Sequence, residues 1–242
     1  MCTVTFLPLQ DNNFILTSNR DEAVNRKKAL KPTVEVYKGK NILYPKDGLA
    51  GGTWIGVRES VRAAVLLNGA FIKHNRELPY RHSRGVIVKE ALVSDSVVQF
   101  LSGFKLDNIE PFTLIVVEWY PEWRLWELRW DGSTRHVHSL SKNPQIWSSS
   151  TLYTTPMVAK RERWFKAWLT ENSNFTVPGI RKFHKEAGEG DPVSDLITKR
   201  GFLETISITT IEKKGGVTNL TYEDLLSSVR TEANFNLSML TS

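Results

Sequence analysis

The chain has 242 residues, a formal net charge of +6 and a single cysteine. Hydrophobic residues make up 40% and charged residues 24%, a globular mix that excludes a disordered polar chain. The lone thiol, Cys2, excludes an internal disulfide and fits a reducing compartment. No apolar run approaches the ~18 residues needed to span a bilayer. The first residues also lack the basic-then-apolar order of an export signal, so a cytoplasmic protein is expected. Lysines and arginines are spread along the chain in short runs such as 26–28, which reads as solvated surface and not as a nucleic-acid footprint.

No internal repeat or low-complexity linker divides the sequence, so residues 1–242 are expected to form one domain with a frayed tail over 233–242. Two β-like runs, 2–9 and 13–19, flank a turn-type segment at 10–13. Runs 51–57 and 62–68 flank Glu59-Ser60 as a second hairpin. Residues 80–102 follow the helical period, with Ser94 or Asp95 placed to cap a second helix. Strands follow at 111–119, 124–130 and from Ser133 onward, turning at Tyr120-Pro121 and Asp131-Gly132, and 144–150 reads as another. An amphipathic helix is expected over 156–169, with Pro156 at its start. Residues 171–200 read as a polar loop with a short helix, and 205–212 with 217–222 as a closing hairpin. This order lacks the alternating rhythm of a parallel sheet and predicts antiparallel sheets covered by helices, an α+β class.

The chemistry concentrates at the N-terminus. Cysteine is small enough at position 2 for methionine aminopeptidase to remove Met1. A terminal Cys2 would carry a thiol and, on the same residue, an α-amine of pKa roughly 7.7–8.0 able to accept its proton. Taken alone, a Met-Cys start is more simply a small buried hydrophobe. Register strengthens the catalytic reading. If the loop is 10–13, Leu9 faces Phe14, paired numbers sum to 23, and Cys2 lies opposite Asp21. The second hairpin brings Asn68, at a strand end before Gly69, near Gly51-Gly52, where an amide donor could hold an oxyanion. Asn-Gly is equally a common turn pair.

The order Met1-Cys2, Asn19-Arg20-Asp21-Glu22 and Gly51-Gly52-Thr53-Trp54-Ile55-Gly56-Val57 resembles the NRDE family, also called the transport and Golgi organisation family. The likeness continues through Leu67-Asn68, Arg84-Gly85 and 149–153 to the C-terminal strands. It implies the N-terminal-nucleophile hydrolase fold, a four-layer αββα sandwich, with similarity to penicillin V acylase and choloylglycine hydrolase. It further implies Cys2 as nucleophile, Asp21 beside its amine and Asn68 as oxyanion donor. Where the acylases carry arginine, this chain has Ser18; Arg20, two positions on along the same strand face, is the expected substitute. Where they carry a second asparagine, this chain reads Ser148-Ser149-Ser150, and Ser149 is the expected donor.

The resulting expectation is a hydrolase of an amide or thioester working through a Cys2 acyl-enzyme, on a small-molecule substrate. Asp21, Asn68 and Arg20 complete the catalytic set, and Trp54, Asn19, Gly52 and Ser149 meet the substrate. Trp54 and the tryptophans between Trp119 and Trp130 are candidates for an acyl pocket or for core. No metal and no cofactor is expected; His136 and His138 share a strand face but have no third ligand at useful spacing. The alternative is a non-enzymatic carrier of haem, acyl-CoA or lipid on the same scaffold. Oligomeric state is left open.

Overall fold

A computed structural model describes residues 3–236. The chain folds as β1 (Thr3–Pro8), β2 (Phe14–Ala23), β3 (Leu30–Tyr37), β4 (Lys40–Lys46), β5 (Ile55–Arg58) and β6 (Arg62–Asn68). Helices α1 (Gly85–Val93) and α2 (Val97–Gly103) follow, then β7 (Phe112–Glu118), β8 (Arg124–Trp130), β9 (Arg135–Leu140) and β10 (Gln145–Ser148). Helices α3 (Thr155–Glu171) and α4 (Val177–Glu186) precede β11 (Lys199–Arg200), β12 (Leu203–Lys214), β13 (Val217–Asp224) and β14 (Val229–Asn236).

The strands form two antiparallel sheets. One runs β10-β1-β2-β12-β13-β14, with β11 also on β12. The other runs β3 to β9 in chain order. Period-two alternation explains how they stack. Val4, Phe6, Phe14 and Leu16 of the first sheet meet Val57, Val65, Ile115 and Val117 of the second in the central core. The alternate residues Leu7 and Ile15 turn outward onto Phe165, Ile180 and Phe183 of α3 and α4. Ala64, Leu66, Leu114 and Val116 turn outward from the second sheet onto Ile87, Val88 and Leu92 of α1. Strand β6 is covered on both faces, which is why its sequence is an apolar run and not an alternation. The architecture is the αββα sandwich. Among the described residues no helix is long and apolar enough to cross a membrane.

Several expectations need correction. The first hairpin pairs Thr3 with Asn19 and Pro8 with Phe14, so paired numbers sum to 22 and not 23. The turn does close from Asn13 N–H to Gln10 C=O, with Asp11 and Asn12 at φ 55° and 58°. The carbonyl of Asn13, however, accepts from Leu9 N–H and not from Gln10. This places one extra residue on the first strand, a bulge that shifts the register. The Leu9–Phe14 pairing therefore fails, and with it the register argument that set Cys2 against Asp21; Cys2 itself lies outside the described residues.

The helical stretch at 80–102 contains the expected second helix, but the first begins only at Gly85 and the cap of the second is Ser96, not Ser94 or Asp95, accepting from Gln99 N–H at 3.3 Å. The polar stretch after Glu171 contains the ten-residue α4, started by Thr176, whose hydroxyl accepts from Gly179 N–H. Residues 233–236 are not frayed: they complete β14 and pair with β13 from Val217 to Leu220. The rest of the expected tail, 237–242, lies outside the described residues.

Candidate active site

The alternation of β2 separates its polar residues. Leu16 faces the central core, so Ser18 and Arg20 share that face. Asn19 and Asp21 point the other way, toward the α3–α4 layer. The motif Asn19-Arg20-Asp21-Glu22 is thus split between two environments.

Arg20 is 3% exposed. Its Nη2 donates to Asp47 Oδ2 at 2.6 Å, and its guanidinium lies over the Trp54 ring, 4.4 Å from the centroid. Asp47 ends β4's descent into a tight loop, where its Oδ1 accepts from the backbone N–H of Leu49 (3.0 Å) and Ala50 (2.7 Å). Arg26 donates to the same carboxylate through Nε at 3.1 Å and Nη2 at 3.2 Å. Burial by itself pushes the Asp47 carboxyl up, but the Arg26 hydrogen bond, the Ala50 N–H and the Arg20 charge outweigh it and hold the carboxyl below its ordinary value. Two donors here have no partner among the described residues: Arg20 Nη1 and Trp54 Nε1.

These groups line a cavity of about 760 Å³ that also takes in Gly52, Asn68, His74, Arg84 and Thr151. The β5–β6 ladder sets Asn68 there. Leu66 N–H donates to Trp54 C=O at 2.8 Å, so the strand runs on to place Asn68 beside Gly52. Ser149 Oγ donates to the Asn68 carbonyl at 2.8 Å and shares a hydrogen bond with Thr151 Oγ1 at 2.9 Å. The Ser149 hydroxyl is therefore occupied in fixing the Asn68 backbone. A Cβ on Gly52 would fall 2.8 Å from the Gly85 carbonyl carbon. Of the two close approaches a glycine here permits, by a ligand or by another backbone, the structure shows the backbone one: Gly52 makes room for the start of α1.

Asp21 is 3% exposed and does not line the cavity. Thr205 Oγ1 donates to its Oδ1 at 2.6 Å, and the Tyr153 hydroxyl donates to its Oδ2. Arg161, fully buried, lies 3.4 Å over the Tyr153 ring and donates through Nη1 to Thr3 Oγ1 at 2.7 Å. Asn19 is also fully buried away from the cavity. Its Nδ2 donates to the carbonyls of Leu196 (2.9 Å) and His184 (3.2 Å). Its Oδ1 then has to accept from His184 Nδ1–H at 2.7 Å, which leaves Nε2 to accept from the Thr5 hydroxyl at 2.8 Å. That network holds a neutral imidazole, and burial, helped by the Arg181 and Arg161 charges, pushes its pKa down to about 3.

Sequence reasoning missed Asp47, Tyr153 and Arg161. Asp47 had a legible signal, an aspartate two residues before Leu49 in a Gly-rich turn. The others act through contacts between distant segments, which spacing does not reveal. None of the residues Trp119, Trp123, Trp126 and Trp130 lines the cavity. Trp119 and Trp123 pack on Phe14 and Phe6, and Trp130 is buried with its Nε1 donating to Ile109 C=O at 2.9 Å. They are core. His136 pairs with Asp131 at 2.9 Å, and among the described residues no group of three or more His, Cys, Asp or Glu is placed to hold a metal.

Solved structures of hydrolases share this fold. The Caenorhabditis elegans ortholog of N-acylethanolamine-hydrolyzing acid amidase superposes with a TM-score of 0.60 at 14% identity, covering 87% of this chain and 92% of that one. Two variants of conjugated bile acid hydrolase from Clostridium perfringens each give 0.59 at 11% identity, covering 98% and 93%. A search of curated protein sequences finds no match. The sequence description of the family "Transport and Golgi organisation 2" matches residues 1–227, nearly the whole chain, and the protein belongs to that family.

Proposed function

We propose that the protein is an N-terminal cysteine hydrolase of a carbon–nitrogen (amide) bond or a thioester. The observation that carries the reading is the convergence of Arg20, Trp54 and Asn68 on one cavity at the end of β2, within a fold whose solved relatives include amide hydrolases. In the proposed reaction Cys2 Sγ attacks the substrate carbonyl while its α-amine takes the thiol proton. The Asn68 side-chain amide donates to the oxyanion. The amine returns the proton to the departing nitrogen or sulfur, the acyl group stays on Sγ, and water then attacks the thioester. The amine takes that water's proton, the acid leaves and the thiol is restored.

Arg20 supplies fixed positive charge beside the reacting centre. Asp21, held by Thr205 and Tyr153, is the partner proposed for the α-amine. Ser149 acts by positioning Asn68, not as a second oxyanion donor. Asn19 and Gly52 shape the scaffold around the site. A panel of fluorescent amides and thioesters tests this directly. Turnover by mature protein that disappears in a folded Cys2→Ala variant supports the proposal. Equal turnover in the variant refutes the nucleophile, and binding without turnover of any member favours a carrier.

A further inference from the structure

The two walls of the cavity differ in charge. On the β2 side, Arg20 and Arg26 are matched by Glu22 and Asp47: Arg20–Asp47 is 2.6 Å, Arg20–Glu22 3.5 Å and Arg26–Glu22 3.3 Å. Elsewhere in the lining, Arg76 and Arg84 of the segment 73–84 share one carboxylate, Glu110, and Lys73 lines the same cavity. Arg84 Nη2 lies 3.2 Å and Arg76 Nε 3.4 Å from Glu110, and His74 Nε2 lies 3.3 Å from it. Among the described residues this wall carries two more positive charges than negative ones. Its His74 Nδ1 is buried without a partner.

Lys73 and Arg76 are exposed, so their surplus charge is hydrated and open to an anion arriving from solvent, which a cleft lined by one sign attracts. Glu110 is 9% exposed and already shared by three groups, so it cannot neutralise the wall. Arginine forks suit phosphate oxygens, and a phosphate monoester carries roughly −1.5 to −2 at pH 7, which matches the surplus.

We propose that the 73–84 wall is a subsite for a phosphate-type dianion. The step rests on the hydrolase reading for its meaning: the substrate is then an acyl compound with a phosphorylated head. The head docks on Lys73 and Arg76, and the scissile carbonyl lies toward Asn68.

Isothermal titration of the full chain with inorganic phosphate at fixed ionic strength tests the site without any turnover. The same titration on Cys2→Ala separates this claim from the catalytic one. Phosphate binding is expected in both proteins, to weaken at least tenfold in Lys73→Glu/Arg76→Glu, and to persist in Arg163→Glu/Lys166→Glu, which makes the same charge change on α3. Succinate is the competing dianion and is expected to bind more weakly. Absence of phosphate binding, equal binding in Lys73→Glu/Arg76→Glu, equal loss in the α3 variant, or tighter binding of succinate each overturns the proposal.

Discussion

Tyr153 donates its phenolic hydroxyl to the carboxylate of Asp21, a residue 132 positions earlier in the chain. The contact ties the loop after β10 to the end of β2, and Arg161 and Arg200 both lie over the tyrosine ring, at 3.4 and 4.9 Å. The candidate amine partner is thus held from the α3 side of the molecule and not from the cavity. Replacing Tyr153 with Phe keeps the ring and its cation contacts but removes one buried donor. Urea denaturation is expected to show a loss of about 1–3 kcal/mol. Turnover should fall in kcat more than in KM, because the carboxylate loses its orientation while the substrate wall is untouched.

Arg20 combines a charge, a fork and a stacked plane. Lysine at this position keeps only the charge and cannot lie over Trp54 while reaching Asp47. Arg20→Lys is expected to cost about 1–2 kcal/mol in stability, measured by denaturant titration. Asp47 limits the damage because it retains Arg26 and two backbone donors.

His184 gives the stability a pH dependence of known sign. Its ordinary pKa is 6.5 and burial lowers it to about 3 in the folded protein. Between those values the unfolded chain binds a proton that the native state refuses. Its contribution is therefore complete above about pH 6.5 and is lost as pH falls toward 3, by at most ~1.4 kcal/mol per pH unit. His184→Gln should remove this component: the difference in urea midpoint between variant and parent is expected to shrink from pH 7 to pH 4.

Gly52 and Gly85 cross backbone to backbone, so neither can accept a side chain without movement. Gly52→Ala is expected to lower stability by about 1–3 kcal/mol, since the opposing atoms are main chain and cannot rotate away. A thermal melt of the variant checks this. An unchanged melting temperature would mean that α1 tolerates displacement from the cavity.

The sequence carried the architecture further than the site. Hydrophobic alternation and turn residues located most strands, and the Asn68–Gly52 proximity followed from simple hairpin counting around Glu59-Ser60. Strand β3 escaped because Leu30–Tyr37 lies at a sheet edge with most side chains exposed, so it lacks an apolar signature. The short helix expected within 171–200 could not be placed, because the buried face of α4 includes Arg181 and His184, polar residues that read as loop. The first-hairpin register failed for a local reason: two left-handed residues and a bulge at Leu9–Asn13 are invisible to counting. Arg20 and Asp21 serve separate environments because neighbours on a strand face opposite ways, although the four-residue motif reads as a single unit. Asn19, next to Arg20 and on the same strand face as Asp21, lines no part of the cavity and locks a buried histidine.

The central claim is a free N-terminal cysteine that becomes acylated, and intact-mass spectrometry reads both halves at once. Protein purified and then incubated with the amide and thioester panel should show a mass lacking the initiator methionine. It should also show a transient acyl adduct that maps to Cys2 and is absent from Cys2→Ala. A chain that retains Met1, or one that turns over substrate with no adduct on Cys2 under rapid quench, contradicts the account.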